Sequence, residues 1–583
     1  MPQFLPPYED YRFLLEQFLS IDTAHSKIGL ADFDMALMME IIEQGGKFAK
    51  EVVAPLNQTG DEQGCVLSDG KVTTPNGFAQ AYQEYVANGW NAMLGNPEYG
   101  GQGLPYSAAV PIHEMLNSAC FSWRLTTMLT ESAVLAVDKH ANQQLKDLYL
   151  EKLISGEWTG TMNLTEPHAG SDLSLLKTKA EPQDDGSYQI TGTKIFITGG
   201  DHDWTNNIIH MVLARLPDAP PGVKGISLFL VPRNLLDEQG APAQANQLSV
   251  GSIEKKMGIK ASPTCVMNFD GATGWLVGEA NKGLACMFTM MNDARFQVGL
   301  QGLGAAEASF QGALSYARER LQSHSPYHSN GPQAIIEQPD VRRMLLTQKA
   351  LVEGCRALAM VYAQQMDLEK YADAETAQQA EQVLAFLTPV CKGFMTDMAT
   401  EVTNIGVQVF GGHGYIHEWG MEQLVRDTRI AQLYEGTNGI QAADLIGRKL
   451  TRDKGHMMRA TAGYFAERIA NFSHEQYQAT ANDIINEWQR NSESLLERNP
   501  TDIATIACDY LHYTAYQLLA LLWLDMADKA SGCSQASIRD GKRDTMQFYM
   551  SNILPRKHQH LSAMQADNQA LAGFTDAAYD YKQ

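Results

Sequence analysis

The sequence predicts a multidomain α+β protein in which a β-rich segment lies between helical domains. The chain has 583 residues, too many for one compact core. Apolar residues repeat at three- and four-residue spacing along most of the chain, whereas residues 158–280 contain short β-type runs between glycine, proline, aspartate and asparagine clusters. No GxGxxG motif follows a predicted strand, which argues against a Rossmann domain.

Residues 1–157 are predicted to form an N-terminal helical domain. The segment 32–57 has helical spacing and ends at the break made by Pro55. Residues 96–105 are rich in glycine and proline and predict a loop, and the helical spacing of apolar residues resumes over 108–153.

Residues 158–280 are predicted to form the central β-domain. Its candidate strands are runs of β-branched and aromatic residues separated by turn residues, and they begin near Trp158, Ser187, Ile208, Gly225 and Cys265. Grouped strands between grouped helices favour a separate β-domain over an alternating α/β sheet.

Residues 281–450 are predicted to form a helical bundle, and residues 451–583 an additional helical extension. Within the bundle, a polar segment from Ser323 to Gln333 predicts an exposed loop. Within the extension, 504–530 predicts a long amphipathic helix and 546–554 a shorter one that ends at Pro555.

Composition excludes several classes of function. The formal net charge of −22 repels phosphate backbones and argues against nucleic-acid binding. Eight scattered cysteines without a CxxC pair fit reduced thiols, and the first residues lack a secretory signal, so we expect a cytoplasmic protein. The apolar run 518–524 is far below the roughly 18 residues of a membrane span, so none is expected.

Three clusters carry candidate chemistry, and the first is 161–172. As ordinary structure it is a strand that ends in a turn at Pro167 and Gly170. As a binding site it offers hydroxyl groups and a glycine that lets a ligand approach the main chain. Further on, Phe196 could cover a planar ring while Thr198 donates a hydrogen bond, or both could belong to a core strand.

The second cluster is QVFGGHGYIHE, which begins at Gln408. Its three closely spaced glycines indicate a helix C-terminal turn or close contact with a ligand. His413 and His417 have the spacing of a metal pair, but a glycine-rich segment would not keep that helical geometry and no ligand set is complete. No metal site is predicted.

The third cluster is LYEGTNGIQ, which begins at Leu433. Glu435 precedes a predicted helix, so its charge could simply favour the helix N-terminus. It could also be a general base if apolar surroundings raise its pKa. Composition alone favours the structural interpretation.

Considered together, the motifs resemble those of the acyl-CoA dehydrogenase family over about residues 30–450. The resemblance rests on seven motifs in order: PEYGGQG from Pro97, LTEPHAGSD from Leu164, IFITGG from Ile195, MGIKASP from Met257, NDAR from Asn292, QVFGGHGY from Gln408 and YEGTNGIQ from Tyr434. It implies an N-terminal helical domain, a central β-barrel-like domain and a helical bundle. The extension resembles a long-subunit branch that includes bacterial 3-methylmercaptopropionyl-CoA dehydrogenases.

The resemblance also implies a reaction, the FAD-dependent desaturation of an acyl-CoA thioester to the trans-2-enoyl-CoA. Glu435 would abstract the Cα proton while hydride passes from Cβ to flavin N5. The substrate would be 3-methylmercaptopropionyl-CoA or a short- or medium-chain acyl-CoA. The implied substrate contacts are Ser171, Asn292, Arg295 and Gly436; relatives commonly have aspartate where Asn292 stands.

The residues that the resemblance assigns to FAD come from five segments: Met162, Leu164, Thr165, Gly170 and Ser171; Phe196 and Thr198; Arg320; Gln408, Gly411 and Gly412; and Thr437, Asn438 and Gly439. Phe196 replaces the usual tryptophan, and Ser323-His324 replaces the aromatic–glycine pair that commonly follows Arg320. Gln408, Gly411 and Gly412 would reach the adenine end of the cofactor in a neighbouring subunit.

The family implies a homodimer, an electron-transfer flavoprotein as acceptor and a place in fatty acid metabolism. Two alternatives stay open. An acyl-CoA oxidase would use the same fold but pass electrons to oxygen. A non-catalytic acyl-CoA-binding scaffold would require a lost base, and Glu435 is present in its motif.

Overall fold

The architecture follows the predicted order of helices, strands and helices. The computed structural model describes residues 4–327, 331–567, 571 and 573–579. A helical N-terminal region leads into a β-barrel, a bundle of long helices and a helical extension. The predicted fold class is therefore confirmed.

The N-terminal region contains eight α-helices within the described residues and one small hairpin. The helices are α1 Tyr8–Phe13, α2 Ile21–Lys27, α3 Met35–Phe48, α4 Leu56–Gln63, α5 Phe78–Ala87, α6 Tyr106–Ala119, α7 Phe121–His140 and α8 Gln143–Ser155, and the hairpin strands are β1 Val66–Ser68 and β2 Lys71–Thr73. Asp34 caps α3 by accepting a hydrogen bond from the Leu37 N–H at 2.9 Å. A wide π-helical turn extends α3 to Val53, just before Pro55.

The central strands close into a barrel. The strands are β3 Thr159–Asn163, β4 Lys179–Pro182, β5 Tyr188–Thr198, β6 Ile208–Arg215, β7 Ile226–Pro232, β8 Asn234–Leu236, β9 Pro242–Ala245, β10 Leu248–Ile253 and β11 Thr264–Val277. The chain of neighbours β11-β5-β4-β6 is closed by β7, which pairs with both β6 and β11. Antiparallel pairing dominates, while β3 and β4 run parallel to β6.

Three long helices form the centre of the bundle: α9 Gly283–Glu319, α10 Pro339–Tyr371 and α11 Ala374–Phe410. Helices α9 and α11 approach closely because α9 presents glycines to α11. A Cβ at Gly302 would lie 2.9 Å from the Met395 carbonyl oxygen, and one at Gly299 would lie 2.9 Å from the Cys391 carbonyl oxygen. Shorter helices α12 Met421–Thr428 and α13 Asn438–Asp444 follow. The described part of the loop 323–333 is largely exposed, as predicted.

The extension consists of α14 His456–Ala470, α15 Glu475–Glu493, α16 Pro500–Thr505, α17 Ala507–Ala530, α18 Ala536–Phe548 and α19 Lys557–Gln565. Helix α17 is buried on nearly all sides, so the amphipathic prediction for 504–530 was wrong. The prediction for 546–554 was also wrong at both ends. The helix begins at Ala536, and Pro555 occupies the first turn of the next helical segment, where its missing N–H costs nothing.

A buried ionic cluster joins both ends of the chain to the bundle. Arg356 of α10 pairs with Asp10 of α1 at 2.7 Å, Glu114 of α6 at 2.6 Å and Glu307 of α9 at 2.7 Å. Lys542 of α18 contacts the same Asp10 and also Glu353, the latter at 2.8 Å. One set of charges thus fixes the N-terminal helix and the extension against the same faces of the bundle.

Candidate active site

Glu435 lies in a tight loop with strained backbone geometry between α12 and α13. Its φ is +54°, in the left-handed region that non-glycine residues rarely adopt, and Gly436 follows with φ +82°. The Gln441 side-chain amide donates to the carbonyl oxygens of Glu435 at 3.0 Å and Gly436 at 3.3 Å. Within the described chain, the peptide N–H groups of Glu435 and Gly436 have no hydrogen-bond partner.

Glu435 is half-buried, and its surroundings increase the proton affinity of its carboxyl group. Burial raises the pKa of Glu435 to about 7, while the positive charges of Arg295 and Lys392 oppose this rise. A carboxylate with a pKa near neutrality can accept a proton from a weak carbon acid and still be substantially ionised. The structure therefore favours the general-base interpretation over a simple helix charge.

Helix α11 clamps the side chain of Asn438, three residues after Glu435. The Asn438 Oδ1 accepts a hydrogen bond from the Lys392 Nζ at 2.8 Å, and its Nδ2 donates to the Asp397 Oδ1 at 2.7 Å. The Thr437 side chain also has a structural partner, because its hydroxyl oxygen accepts a hydrogen bond from the Ile440 N–H at the start of α13. A cofactor bound at this loop would therefore contact its main-chain groups rather than the side chains of Thr437 and Asn438.

Sequence reasoning missed Lys392 and Asp397. Lys392 has no exposed surface, and burial lowers its pKa to about 7. The sequence did contain a signal for Lys392. It lies within the mostly apolar helical segment from Leu387 to Met398, and a buried lysine usually has a specific partner.

The predicted flavin segments are joined at the edge of the barrel. The Thr165 carbonyl oxygen accepts the Ile195 N–H at 2.9 Å. The buried Lys194 ammonium donates to the Leu164 carbonyl oxygen at 3.0 Å and to Glu166 at 2.9 Å. These bonds hold the loop that carries Leu164, Thr165, Gly170 and Ser171 beside the strand that carries Phe196 and Thr198.

Phe196 shows the same signs of a functional position as Glu435. Its φ is +60°, and 59% of the residue is exposed, unusual for phenylalanine in a strand. Met162 is buried in a hydrophobic cluster against which Leu164 and Tyr434 pack. Because Tyr434 precedes Glu435, this cluster connects the segment of Met162 and Leu164 to the loop 433–437 that carries the candidate base, the base loop.

The predicted substrate residues lie in different environments. Ser171 and Asn292 are exposed, whereas Arg295 is buried and close enough to Glu435 for their charges to interact. The Arg295 Nε has no hydrogen-bond partner in the described part of the chain. A buried guanidinium with a free donor is a suitable contact for an anionic or strongly polar ligand.

Arg320, Gly411 and Gly412 line one cavity of about 410 Å³, although about 90 residues separate them in sequence. A Cβ added at either glycine would meet no atom within 4 Å, so their main chain is open to a ligand. Gly411 ends α11 with φ +61°, which agrees with the predicted helix C-terminal turn. Gln408 lies apart, in a second cavity of about 600 Å³.

The two candidate metal-binding histidines do not form a pair. His413 bonds Tyr316 at 2.9 Å and stacks on Trp419. His417 instead approaches Asp61 and Glu422, and Arg426 already forms ion pairs with both of these carboxylates.

Family models match almost the whole chain in the order of its domains. The acyl-CoA dehydrogenase N-terminal, middle and C-terminal domains match residues 38–157, 161–272 and 281–451. A model described as acetyl-CoA dehydrogenase C-terminal like matches residues 456–575. The chain belongs to the acyl-CoA dehydrogenase family. The resemblance inferred from the seven motifs is therefore confirmed.

Individual acyl-CoA dehydrogenases agree with this assignment. The chain is 48% identical to the 3-methylmercaptopropionyl-CoA dehydrogenase of Ruegeria pomeroyi over 80% of this chain and 78% of that protein. It is 35% identical to a butyryl-CoA dehydrogenase of Syntrophomonas wolfei over 96% and 95%. An acyl-CoA dehydrogenase structure from Bacillus anthracis, complexed with FAD, superposes with a TM-score of 0.74 at 21% identity, covering 94% and 90%, and shows the shared fold.

Members of the acyl-CoA dehydrogenase family are FAD-dependent oxidoreductases, and this chain is one of them. The residues present fit the cofactor. An exposed aromatic ring at Phe196 can cover a planar heterocycle, and the open main chain at Gly411 and Gly412 lies beside a cationic Arg320 suited to a diphosphate. Among the described residues, no helix has the length and apolar character needed to cross a membrane.

Proposed function

We propose that this acyl-CoA dehydrogenase removes the Cα proton of its thioester substrate with Glu435 and forms the trans-2-enoyl-CoA. The observation that carries the proposal is the Glu435 environment: a strained loop, a carboxyl whose pKa is raised by burial to about 7, and two cations whose charges act on it. Burial strengthens the base, and Arg295 and Lys392 keep it ionisable near neutral pH.

The chain supplies the other groups that proton removal needs. The free peptide N–H groups of Glu435 and Gly436 can donate hydrogen bonds to the thioester carbonyl oxygen, where negative charge develops as the proton leaves. Ser171, Asn292 and Arg295 would orient the thioester ligand. The apolar surface of Tyr434 and the Met162 cluster, next to Glu435 in the chain, would shield the reacting carbon from water.

FAD, when bound, would supply the acceptor for the hydride that leaves Cβ. Met162, Leu164, Thr165, Gly170, Ser171, Phe196 and Thr198 would hold its flavin end, together with the main chain at Thr437, Asn438 and Gly439. Arg320 would meet its diphosphate, and Gln408, Gly411 and Gly412 would hold its adenine end.

The test is the visible spectrum of purified enzyme during anaerobic addition of CoA thioesters. We expect the flavin bands to bleach with substrate in the wild type. The Glu435→Gln variant should keep its FAD and bind ligand but bleach at least about 1,000-fold more slowly, since it lacks the base. Normal bleaching by Glu435→Gln would refute the assignment of the base.

The proposed substrate is 3-methylmercaptopropionyl-CoA, with short- or medium-chain acyl-CoA thioesters as the second candidates. The 48% identity to the Ruegeria enzyme supports the first, and the Syntrophomonas butyryl-CoA dehydrogenase supports the second. Sulfur and methylene fill similar space in an apolar pocket, so kcat/KM for matched thioesters must be compared. A preference of about tenfold or more for the methylthio compound would select it.

We also propose that the enzyme is a homodimer in which each FAD is shared between subunits. Arg295 lies in α9 and Arg320 is the residue that follows its last turn, 25 positions later, which corresponds to about 37 Å along a helix. That distance exceeds the length of an FAD molecule. An FAD beside Glu435 of one subunit would therefore meet Arg320 of the other.

Mixed dimers of Glu435→Gln and Arg320→Ala test this arrangement. We expect each homodimer to be inactive, because one lacks the base and the other loses FAD affinity. A mixed dimer keeps one complete site, so co-expression should restore about a quarter of the wild-type activity. No restoration would show that each site is built from a single chain.

The physiological acceptor is proposed to be an electron-transfer flavoprotein in the cytoplasm, within fatty acid metabolism. Peroxide formation at the rate of substrate oxidation would instead identify an oxidase. The domain limits proposed for the enzyme are 1–157, 158–280, 281–450 and 451–583, supported by the ranges of the matching family models.

A further inference from the structure

His512 of the C-terminal extension contacts a residue that supports the loop carrying Glu435. Helix α17 packs against α11 and α13, and its His512 Nε2 lies 3.0 Å from the Asp397 Oδ2 of α11. The two side chains are 23% and 29% exposed, so solvent screens this contact only partly.

The other oxygen of Asp397 holds both sides of the base loop. Its Oδ1 accepts a hydrogen bond from the Gln432 Nε2 at 2.6 Å and from the Asn438 Nδ2 at 2.7 Å. Gln432 and Asn438 stand three residues before and three residues after Glu435. One carboxylate therefore connects the two ends of the strained loop.

The chemistry of the partners fixes this arrangement in one orientation. An ionised carboxylate only accepts hydrogen bonds, so the Asn438 amide must turn its nitrogen toward Asp397. Its oxygen then faces the Lys392 ammonium, which only donates, at 2.8 Å. Asp397 and Lys392 thus select the same rotamer of Asn438, and α13 begins at that residue.

We propose that Asp397 and His512 are positioning residues for the catalytic base, and that the extension thereby takes part in catalysis. His512 holds the Asp397 carboxylate, Asp397 holds Gln432 and Asn438, and these two residues hold the loop that aims Glu435. The inference rests on the proposed function of Glu435 as the base. It gives residues 451–583 a role beyond covering the surface of the bundle.

The chain offers a matched control one helical turn away. Arg556 of the extension forms a two-bond ion pair with Glu401 of α11, with both distances at 2.8 Å. These side chains are 34% and 35% exposed, similar to the His512 pair. Among the described residues, Glu401 forms no hydrogen bond to the loop that carries Glu435, so Arg556 anchors the extension without acting on Glu435.

The experiment compares full-length His512→Leu, His512→Gln and Arg556→Gln enzymes with bound FAD. For His512→Leu we expect kcat to fall about tenfold, because a displaced base costs rate in the step that removes the proton. The isotope effect with Cα-deuterated substrate should rise, while KM and FAD per chain stay unchanged. His512→Gln keeps a donor and should recover most of the rate, and Arg556→Gln should stay within about twofold of wild type.

Equal kcat values for His512→Leu and Arg556→Gln would overturn the proposal, as would an unchanged isotope effect. If His512→Leu does not fold, the isosteric variant Asp397→Asn tests the same role. Normal turnover by Asp397→Asn would also overturn the proposal. Glu435→Gln separates this inference from its premise. Loss of turnover in Glu435→Gln with normal turnover in His512→Leu refutes the positioning role alone, whereas normal turnover in Glu435→Gln refutes the base itself.

Discussion

Replacement of Arg356 by methionine should destabilise the enzyme in a way that depends on pH. The Arg356 side chain is 2% exposed and pairs with three carboxylates, those of Asp10, Glu114 and Glu307, at 2.6–2.7 Å. Methionine retains the apolar stem but carries no charge, so the variant leaves Glu114 and Glu307 buried without this cation, whereas Asp10 keeps its contact with Lys542. Breaking a buried ionic group in this way costs about 3–5 kcal/mol.

The expected change in melting temperature follows from the size of the chain. About 2.1 cal/mol/K per residue over 583 residues gives an unfolding entropy of about 1.2 kcal/mol/K. A loss of about 3–5 kcal/mol then lowers the melting temperature by about 2–4 °C. Calorimetry on the FAD-loaded enzyme would measure this shift.

The pH dependence distinguishes the electrostatic cause from a simple packing defect. Burial raises the pKa of Glu114, and Arg356 opposes that rise. Without the cation the folded-state pKa moves further above its unfolded value, so the folded variant binds more protons and loses stability as pH rises. The deficit should therefore be larger at about pH 7.5 than at about pH 5.

Arg343→Met is the control, because Arg343 lies on the same helix and pairs with Asp340 while both side chains are largely exposed. We expect its melting temperature to match the wild type at both pH values. The reasoning is refuted if Arg356→Met has the same melting temperature as Arg343→Met, or if its loss of stability is the same at both pH values.

Three further predictions concern the base, the flavin loop and the helix packing. Because Glu435 must be ionised to accept a proton and its pKa is raised to about 7, kcat/KM should increase with pH through neutrality; a flat pH profile would contradict this. Lys194→Met removes the cation that holds the Leu164 carbonyl and Glu166, so the flavin absorbance per chain should fall, and full FAD content would contradict this. Gly302→Ala should lower the melting temperature, since its Cβ would lie 2.9 Å from a carbonyl oxygen of α11, whereas Gly463→Ala, with no atom within 4 Å, should not.

The fold could be predicted from the sequence for helices and strands that bury one face and expose the other. Periodicity identified the helical and β-rich regions, because each amphipathic element places apolar residues at its own spacing. It failed for α17, which lies between the bundle and the rest of the extension and is apolar on nearly every face. It also failed at Pro555, since the sequence does not distinguish a proline that ends a helix from one that begins the next turn.

The candidate site could be predicted only where its residues form local motifs. The segments around Leu164, Phe196 and Glu435 are short and recognisable. The structure packs Leu164 and Tyr434 on one hydrophobic cluster, and hydrogen bonds join the strand that carries Phe196 to the segment of Leu164 and Thr165. Lys392, Asp397 and His512 belong to helices far apart in sequence and form no motif. Their proximity to the base loop depends on how α11, α13 and α17 pack, which periodicity does not report.

The base loop shows why the site needs more than its motif. Burial raises the pKa of Glu435, and the positive charges of Arg295 and Lys392 oppose this rise and favour the ionised carboxylate. The same burial lowers the pKa of Lys392 to about 7, so its charge also needs support, and the Asn438 oxygen provides it at 2.8 Å. Asn438 can do so only while its nitrogen is held by Asp397. The strength of the base is therefore set by the same contacts that fix its loop, and changing one of them alters both.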